Sequence, residues 1–419
     1  MIDPTEIDEA VAEAHRREWA AVLATTVRLT RDLDLAEDCT QDAFTKALQA
    51  WPQTGVPARP GAWLTTVAGN RARDLLRRES RWQRALPELI IEDEPGPDVV
   101  VDPFADDQLR LIFTCCHPAL PREAQIALTL RLVCGLSTAE VARAFLVREA
   151  TMAARITRAK RKIATARIRY RIPGADELPA RTAAVCDVVH LVFTTGHVAP
   201  IGDQLQRSDL ADAAIRLARV LHGFLPRDVT ISGLLALILL TDARRAARTT
   251  DRGELALLAD QDRGRWDRDK IAEGVGLITD ALSRQPPTAY GVEAAIAAVH
   301  AEAATWAETD WNEIVGLYDV LTRLRPSPVV TLNRSIAIGM RDGPAAGLEL
   351  LDPLLDEPAL ATYPYLSAAR ADFLRRLGRS DQARAAYQEA LAITDNETER
   401  GYLQRRLAEL GQTGAPGPG

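Results

Sequence analysis

Cysteine is scarce: five occur in 419 residues, an odd number with no CxxC pair, which excludes a disulfide framework and a standard zinc site. Cys115-Cys116-His117 is the one cluster. Adjacent side chains do not easily converge on a tetrahedral ion, so these read as small buried residues, and neither metal nor cofactor is expected. Long apolar runs are also missing. The most apolar stretch, Ile231 to Leu240, is far shorter than the ~20 residues that cross a bilayer. The N-terminus MIDPTEIDEA carries acids where a signal peptide carries cations. A cytoplasmic chain with no membrane partner is expected. Strand and hairpin signals are absent too, which leaves an all-α fold.

What is present is a globular composition, 47% hydrophobic and 26% charged, and a length that implies two to four domains at roughly 100–200 residues each. The net charge of −7 hides segregation. Residues 1–174 hold 25 Lys/Arg against 24 Asp/Glu, whereas 175–419 hold 26 against 34. Two basic runs, Arg71–Arg84 and Arg143–Arg171, are candidate nucleic-acid surfaces.

Helical periodicity fills residues 8–84, with apolar positions Trp19, Val22, Leu23, Val27 and then Phe44, Ala47, Leu48, Trp51. Residues 85–107 are rich in proline and acid and suit an extended linker. A second helical block runs over 108–171, IPGADELPA punctuates, and a third helical block spans 181–411 before a disordered tail at 412–419. Near the end of the third block, Ala371, Leu374, Gly378, Ala383, Tyr387 and Ala390 fall where a tetratricopeptide helix pair needs small and aromatic residues. A more degenerate unit precedes it around Asn333–Leu355, with Gly343 in its turn. A lone repeat cannot bury its faces, so a helical solenoid is expected.

Residues 137–163 have the arithmetic of a helix-turn-helix. Ser137 and Glu140 form a capping box for a short helix through Phe145, and Leu146-Val147-Arg148 turns into a longer helix. On it Met152, Ile156, Ala159 and Ile163 make an apolar stripe, leaving Thr151, Arg155, Arg158, Arg161 and Lys162 for phosphates and base edges in a major groove. A solvated amphipathic helix is the plainer alternative. In the first block, PGAWLTTVAGNRARDLLRRES carries Trp63, Asn70, Arg71, Arg73, Arg77 and Arg78, a mixture suited to unstacked bases and phosphates. By residue type alone, Trp63 fits a core position as well. Asp74 is placed to bond Arg78 at i+4.

These segments carry a resemblance. LAEDCTQDAFTKALQAWP and PGAWLTTVAGNRARDLLRRES, then LSTAEVARAFLVREATMAARITRAKRKI, resemble region two and region four of bacterial extracytoplasmic-function sigma factors. The remainder, including SGLLALILLTDARRAAR, LLADQDRGRWDRDKI and SPVVTLNRSIAI, resembles the long tetratricopeptide-like C-terminal extension of one subgroup. That subgroup often has Asn-Glu-Gly where this chain has Thr194-Thr195-Gly196. The resemblance implies a non-enzymatic subunit that directs core RNA polymerase to promoter DNA, with contacts to the β′ clamp and β flap. It assigns polymerase binding to Asp38, Gln41 and Asp42, groups that by type alone suit capping or solvation equally. It assigns the −10 element to Trp63, Asn70, Arg73, Arg77 and Arg78, and the −35 element to Thr151, Arg155, Arg158, Arg161 and Lys162. The linker would thread the polymerase cleft.

In the extension, Asp262, Arg263, Trp266, Asp310 and Trp311 concentrate charge and tryptophan. No nucleophile, metal triad or glycine-rich phosphate loop accompanies them, so buried ion pairs, or a groove for a regulatory protein or small molecule, fit better than hydrolysis. Two other classes compete with the sigma-factor reading. A stand-alone helix-turn-helix regulator with a sensing domain leaves 34–84 without a purpose, and a helical hydrolase explains only the Asp/Trp cluster.

Overall fold

Helical periodicity dominates the sequence, and the computed structural model follows it. It describes residues 4–83, 103–145, 147–197 and 207–412. Among the described residues there are eighteen α-helices and no strand, the single antiparallel bridge being Thr249 to Leu255. The chain divides into two compact units, residues 1–191 and 192–419.

Unit one opens with α1 (Pro4–Thr30), α2 (Leu33–Thr54) and α3 (Pro60–Gln83), which pack pairwise. Asp32 starts α2 by accepting from the backbone N–H of Asp34 and Leu35 at 2.8 and 2.9 Å, satisfying orphan donors of the first turn. The core between the three helices is Trp19, Val22, Leu23 and Val27, with Phe44, Ala47 and Trp51, and Leu64, Ala68 and Ala72. Leu48, expected on the apolar side, is 46% exposed. Its neighbour Ala47 takes the buried position, because the stripe follows 43, 47 and 51 at four-residue steps.

The rest of unit one comprises α4 (Pro103–Cys115), α5 (Arg122–Leu128) with a π-helical turn at Thr129–Val133, α6 (Thr138–Ala144), α7 (Glu149–Thr165) and the start of α8 (Leu178–His197). Of the linker expected over 85–107, residues 85–102 lie outside the described residues, and α4 already begins at Pro103. The tail expected at 412–419 lies, from 413 onward, outside them as well. Trp19 Nε1 donates to Leu132 O at 3.1 Å, and the Tyr170 hydroxyl donates to Ala24 O and Asp107 O, both at 2.9 Å. Through these bonds the later helices share one core with α1–α3. Cys115 and Cys116 are fully buried in it, and burial pushes the Cys116 thiol up to about 11, so both behave as small apolar residues.

Unit two runs through α9 (Ser208–Phe224), α10 (Val229–Asp242), α11 (Arg268–Arg284), α12 (Ala289–Glu302), α13 (Trp311–Leu324), α14 (Pro328–Asp342), α15 (Pro344–Leu351), α16 (Pro364–Arg376), α17 (Ser380–Ala392) and α18 (Glu397–Gln412). Consecutive helices pack on one another, as in a solenoid. The apolar run Ile231–Leu240 forms the middle of α10 and is buried on nearly every side. It is a core helix, and no described helix is long and apolar enough to cross a membrane. At the repeat, Ala371, Ala383, Tyr387 and Ala390 are all buried between α16 and α17, and Gly378 turns the chain with φ +73°. Phe373 of α16 packs against both Gly339 of α14 and Gly347 of α15, which also lie against one another, so the two expected helix pairs meet at one aromatic ring.

Candidate nucleic-acid and polymerase interface

The capping box expected at the short helix is present: Ser137 Oγ accepts from Glu140 N at 3.2 Å, and Glu140 Oε2 accepts from Ser137 N at 2.7 Å. α6 ends at Ala144 with Phe145 as its cap, and α7 starts at Glu149; Leu146 lies outside the described residues. Met152, Ile156, Ala159 and Ile163 of α7 are buried. Thr151, Arg158, Arg161 and Lys162 are exposed, and the three cations make no ion pair among the described residues. Arg155 differs. It is half-buried, 3.0 Å from Glu123, with its guanidinium over the Phe145 ring at 5.4 Å, so it braces α7 against α5 and α6.

Local spacing gave no reason to single out Lys160, yet it decides how α7 sits. Its side chain is only 10% exposed, with Nζ 2.6 Å from Asp34 and 2.7 Å from Glu37, both on α2. Arg131 pairs with the same Glu37, itself 8% exposed. Burial disfavours the Lys160 charge, but the two carboxylates outweigh it and raise the pKa above the usual lysine value. The signal that would have found this pair is long-range, since the partners are 123 and 126 residues apart.

The same helix α2 presents Asp38 and Gln41 to solvent. Asp42 is half-buried and accepts from Arg71 Nε at 2.9 Å, which ties α2 to α3. On α3, Asn70, Arg73, Arg77 and Arg78 are exposed, and Arg73 donates to Asn70 Oδ1 at 2.9 Å. Asp74 lies 4.0 Å from Arg77; the expected pairing with Arg78 is not made. Trp63 is half-buried, edge-on to the fully buried Trp51 with ring centroids 5.7 Å apart.

The model of sigma-70 region 2 matches residues 13–82, and that of sigma-70 region 4 matches residues 110–163. The chain belongs to the extracytoplasmic-function sigma-70 factors. In this sigma factor, residues 181–282 match a family of unknown function (DUF6596). An uncharacterized protein of Rhizobium meliloti (strain 1021) is 42% identical over 416 residues, 98% of this chain and 97% of that protein. The region-two and region-four matches make it a factor of transcription initiation, which acts with core RNA polymerase on promoter DNA.

The sigma factor's extension treats its Asp/Trp cluster differently from expectation. Asp262 and Asp310 are exposed helix caps, accepting from Gly264 N at 2.8 Å and Glu313 N at 2.9 Å; neither forms a buried ion pair among the described residues. The buried ion pair sits instead at Asp242, which joins Arg245 at 2.6 Å and Lys270 at 3.0 Å. Arg263 lies over the buried Trp266 indole at 4.5 Å, while Trp311 packs edge-on to Trp306 at 5.0 Å.

Proposed function

We propose that this sigma factor directs core RNA polymerase to specific promoters and that its C-terminal extension regulates that activity. Residues 8–84 serve as the region-two domain, 108–171 as the region-four domain and 181–411 as the regulatory extension, all in the cytoplasm. Asp38, Gln41 and Asp42 meet the polymerase clamp. Trp63, Asn70, Arg73, Arg77 and Arg78 hold the −10 element, and Thr151, Arg158, Arg161 and Lys162 read the −35 element. Arg155 orients that helix rather than approaching DNA first. No covalent step is asked of the chain; each contact supplies part of the binding free energy.

The observation that carries this reading is that α3 and α7 each expose a row of cations while their opposite faces are buried in unit one. Scale then imposes a rearrangement. A compact unit of 191 residues has a radius of gyration of about 16 Å and is roughly 40 Å across. Positions −10 and −35 are more than two turns of duplex apart, at least ~70 Å. Both elements are reached only if α7 leaves α2 and the Lys160 pairs open. The twenty residue steps from Gln83 to Pro103 have a reach of about 66–72 Å, which suffices.

Run-off transcription with core polymerase, with and without the full chain, tests the reading. Initiation at new start sites supports it. Initiation unchanged by the protein, on genomic templates from its own source, overturns it.

A further inference from the structure

Unit two gathers five basic side chains from four segments. Arg244 and Arg248 flank the 3-10 turn Arg245–Ala247, and Arg263 opens a second such turn, Arg263–Arg265, that packs on the first. His197 ends α8 and His300 lies in the last turn of α12. Backbone bonds knit these segments together. Asp267 N donates to Ala243 O at 2.9 Å, Arg263 Nη1 donates to His300 O and Ala303 O at 2.7 and 2.6 Å, and Arg248 donates to His197 O.

The charges here do not balance. Neighbouring Arg245 has Asp212 and Asp242, but Arg244 makes no hydrogen bond or ion pair among the described residues. Its charged neighbours are Arg248 and Arg263, and burial first, then these cations, lower its pKa to about 10. Two acids reach the group without acting on Arg244: Glu308 acts on Arg263, and Glu399, itself bonded by Tyr365 at 2.7 Å, acts on Arg248. Arg263 Nη2, His300 Nδ1 and Trp266 Nε1 are buried with no hydrogen-bond partner among the described residues. Burying like charges and unpaired donors together is costly unless something negative compensates them.

We propose that Arg244, Arg248 and Arg263 form a binding site for a phosphate-type oxyanion. Guanidinium forks match phosphoryl oxygens bidentately, and three of them exceed what one carboxylate balances. The half-buried position of Arg244 suits a small ligand. The site is independent of whether the extension regulates initiation, since binding itself is the measured quantity.

Calorimetric titration of the full chain with inorganic phosphate, pyrophosphate and ATP, at constant ionic strength, tests it. The expected result is binding of at least one with a Kd of roughly 1 mM or tighter, weakened at least ~10-fold in Arg244→Met. Binding of phosphate or pyrophosphate marks a free anion as the ligand, and binding of ATP alone marks a phosphate ester. Should Arg244→Met fail to fold, Arg244→Lys, which keeps the charge and loses the fork, should show the same weakening with an unchanged melting curve. No binding of any of the three, or equal binding by wild type and the folded variant, overturns the proposal.

Discussion

Lys160 Nζ lies 2.7 Å from Glu37 Oε2, joining the helix assigned to the −35 element to the helix assigned to the polymerase clamp. Glu37 also holds Arg131, so one buried carboxylate pins two cations of the region-four part onto α2. Removing Glu37 leaves Arg131 without its carboxylate and Lys160 with Asp34 alone, whereas removing Lys160 leaves Glu37 with Arg131. Glu37→Gln is therefore expected to cost about 3–5 kcal/mol and Lys160→Met less. A double-mutant cycle by urea unfolding should give a coupling of about 0.5–3 kcal/mol. Additive losses would mean that the pair does not hold the two halves together.

The exposed cations of α7 should separate cleanly from its structural ones. Arg158→Ala, Arg161→Ala and Lys162→Ala are each expected to leave unfolding within about 0.5 kcal/mol of wild type. Each one that meets a phosphate should lower the slope of log affinity against log salt by about 0.9 when the polymerase holoenzyme binds promoter DNA. Arg155→Ala should instead destabilise the chain, since it breaks the Glu123 pair and the Phe145 contact. Anisotropy titrations across salt concentrations read both effects.

Acid should weaken unit two through its histidines. Burial, then Arg244 and Arg263, lower His300 from 6.5 to about 4, and burial with Arg248, Arg244 and Arg245 lowers His197 to about 2. The unfolded chain then binds protons that the folded chain refuses. Stability is complete above about pH 7 and falls as pH drops below 6.5, at up to about 1.4 kcal/mol per pH unit for each histidine. Urea melts at pH 7.5, 6 and 5 should show this slope, and His300→Gln should flatten it. Parallel slopes in variant and wild type would contradict the assignment.

The Phe373 ring leaves no room at Gly347 or Gly339. A Cβ at either position would overlap the Phe373 ring, so Gly347→Val is expected to cost about 1–3 kcal/mol. Phe373→Leu combined with Gly347→Ala should lose less than the two single changes summed. Thermal unfolding followed by circular dichroism checks both.

Much of this was legible from sequence. The all-helical class, the Ser137 box, the buried stripe of α7 and the small residues of the α16–α17 pair follow from local spacing, because helix periodicity assigns each residue to a face without knowing what covers it. Leu48 shows the limit of that method: a leucine one position off the stripe looks apolar in sequence and is exposed in the fold. Asp262 and Asp310 show another, since an aspartate ahead of a helix is a cap before it is anything else.

Sequence by itself determined that two cationic helices exist and which residues of α7 form its buried stripe. Only the tertiary structure decided that Lys160 faces α2, that Arg155 is a brace, and that Arg244 comes to lie beside Arg248 and Arg263 with no carboxylate of its own among the described residues. The physical reason is range. Hydrogen-bond periodicity acts over a few residues and is written in spacing, whereas a charge takes whatever partner the packed chain delivers, and spacing along the chain does not record which one that is.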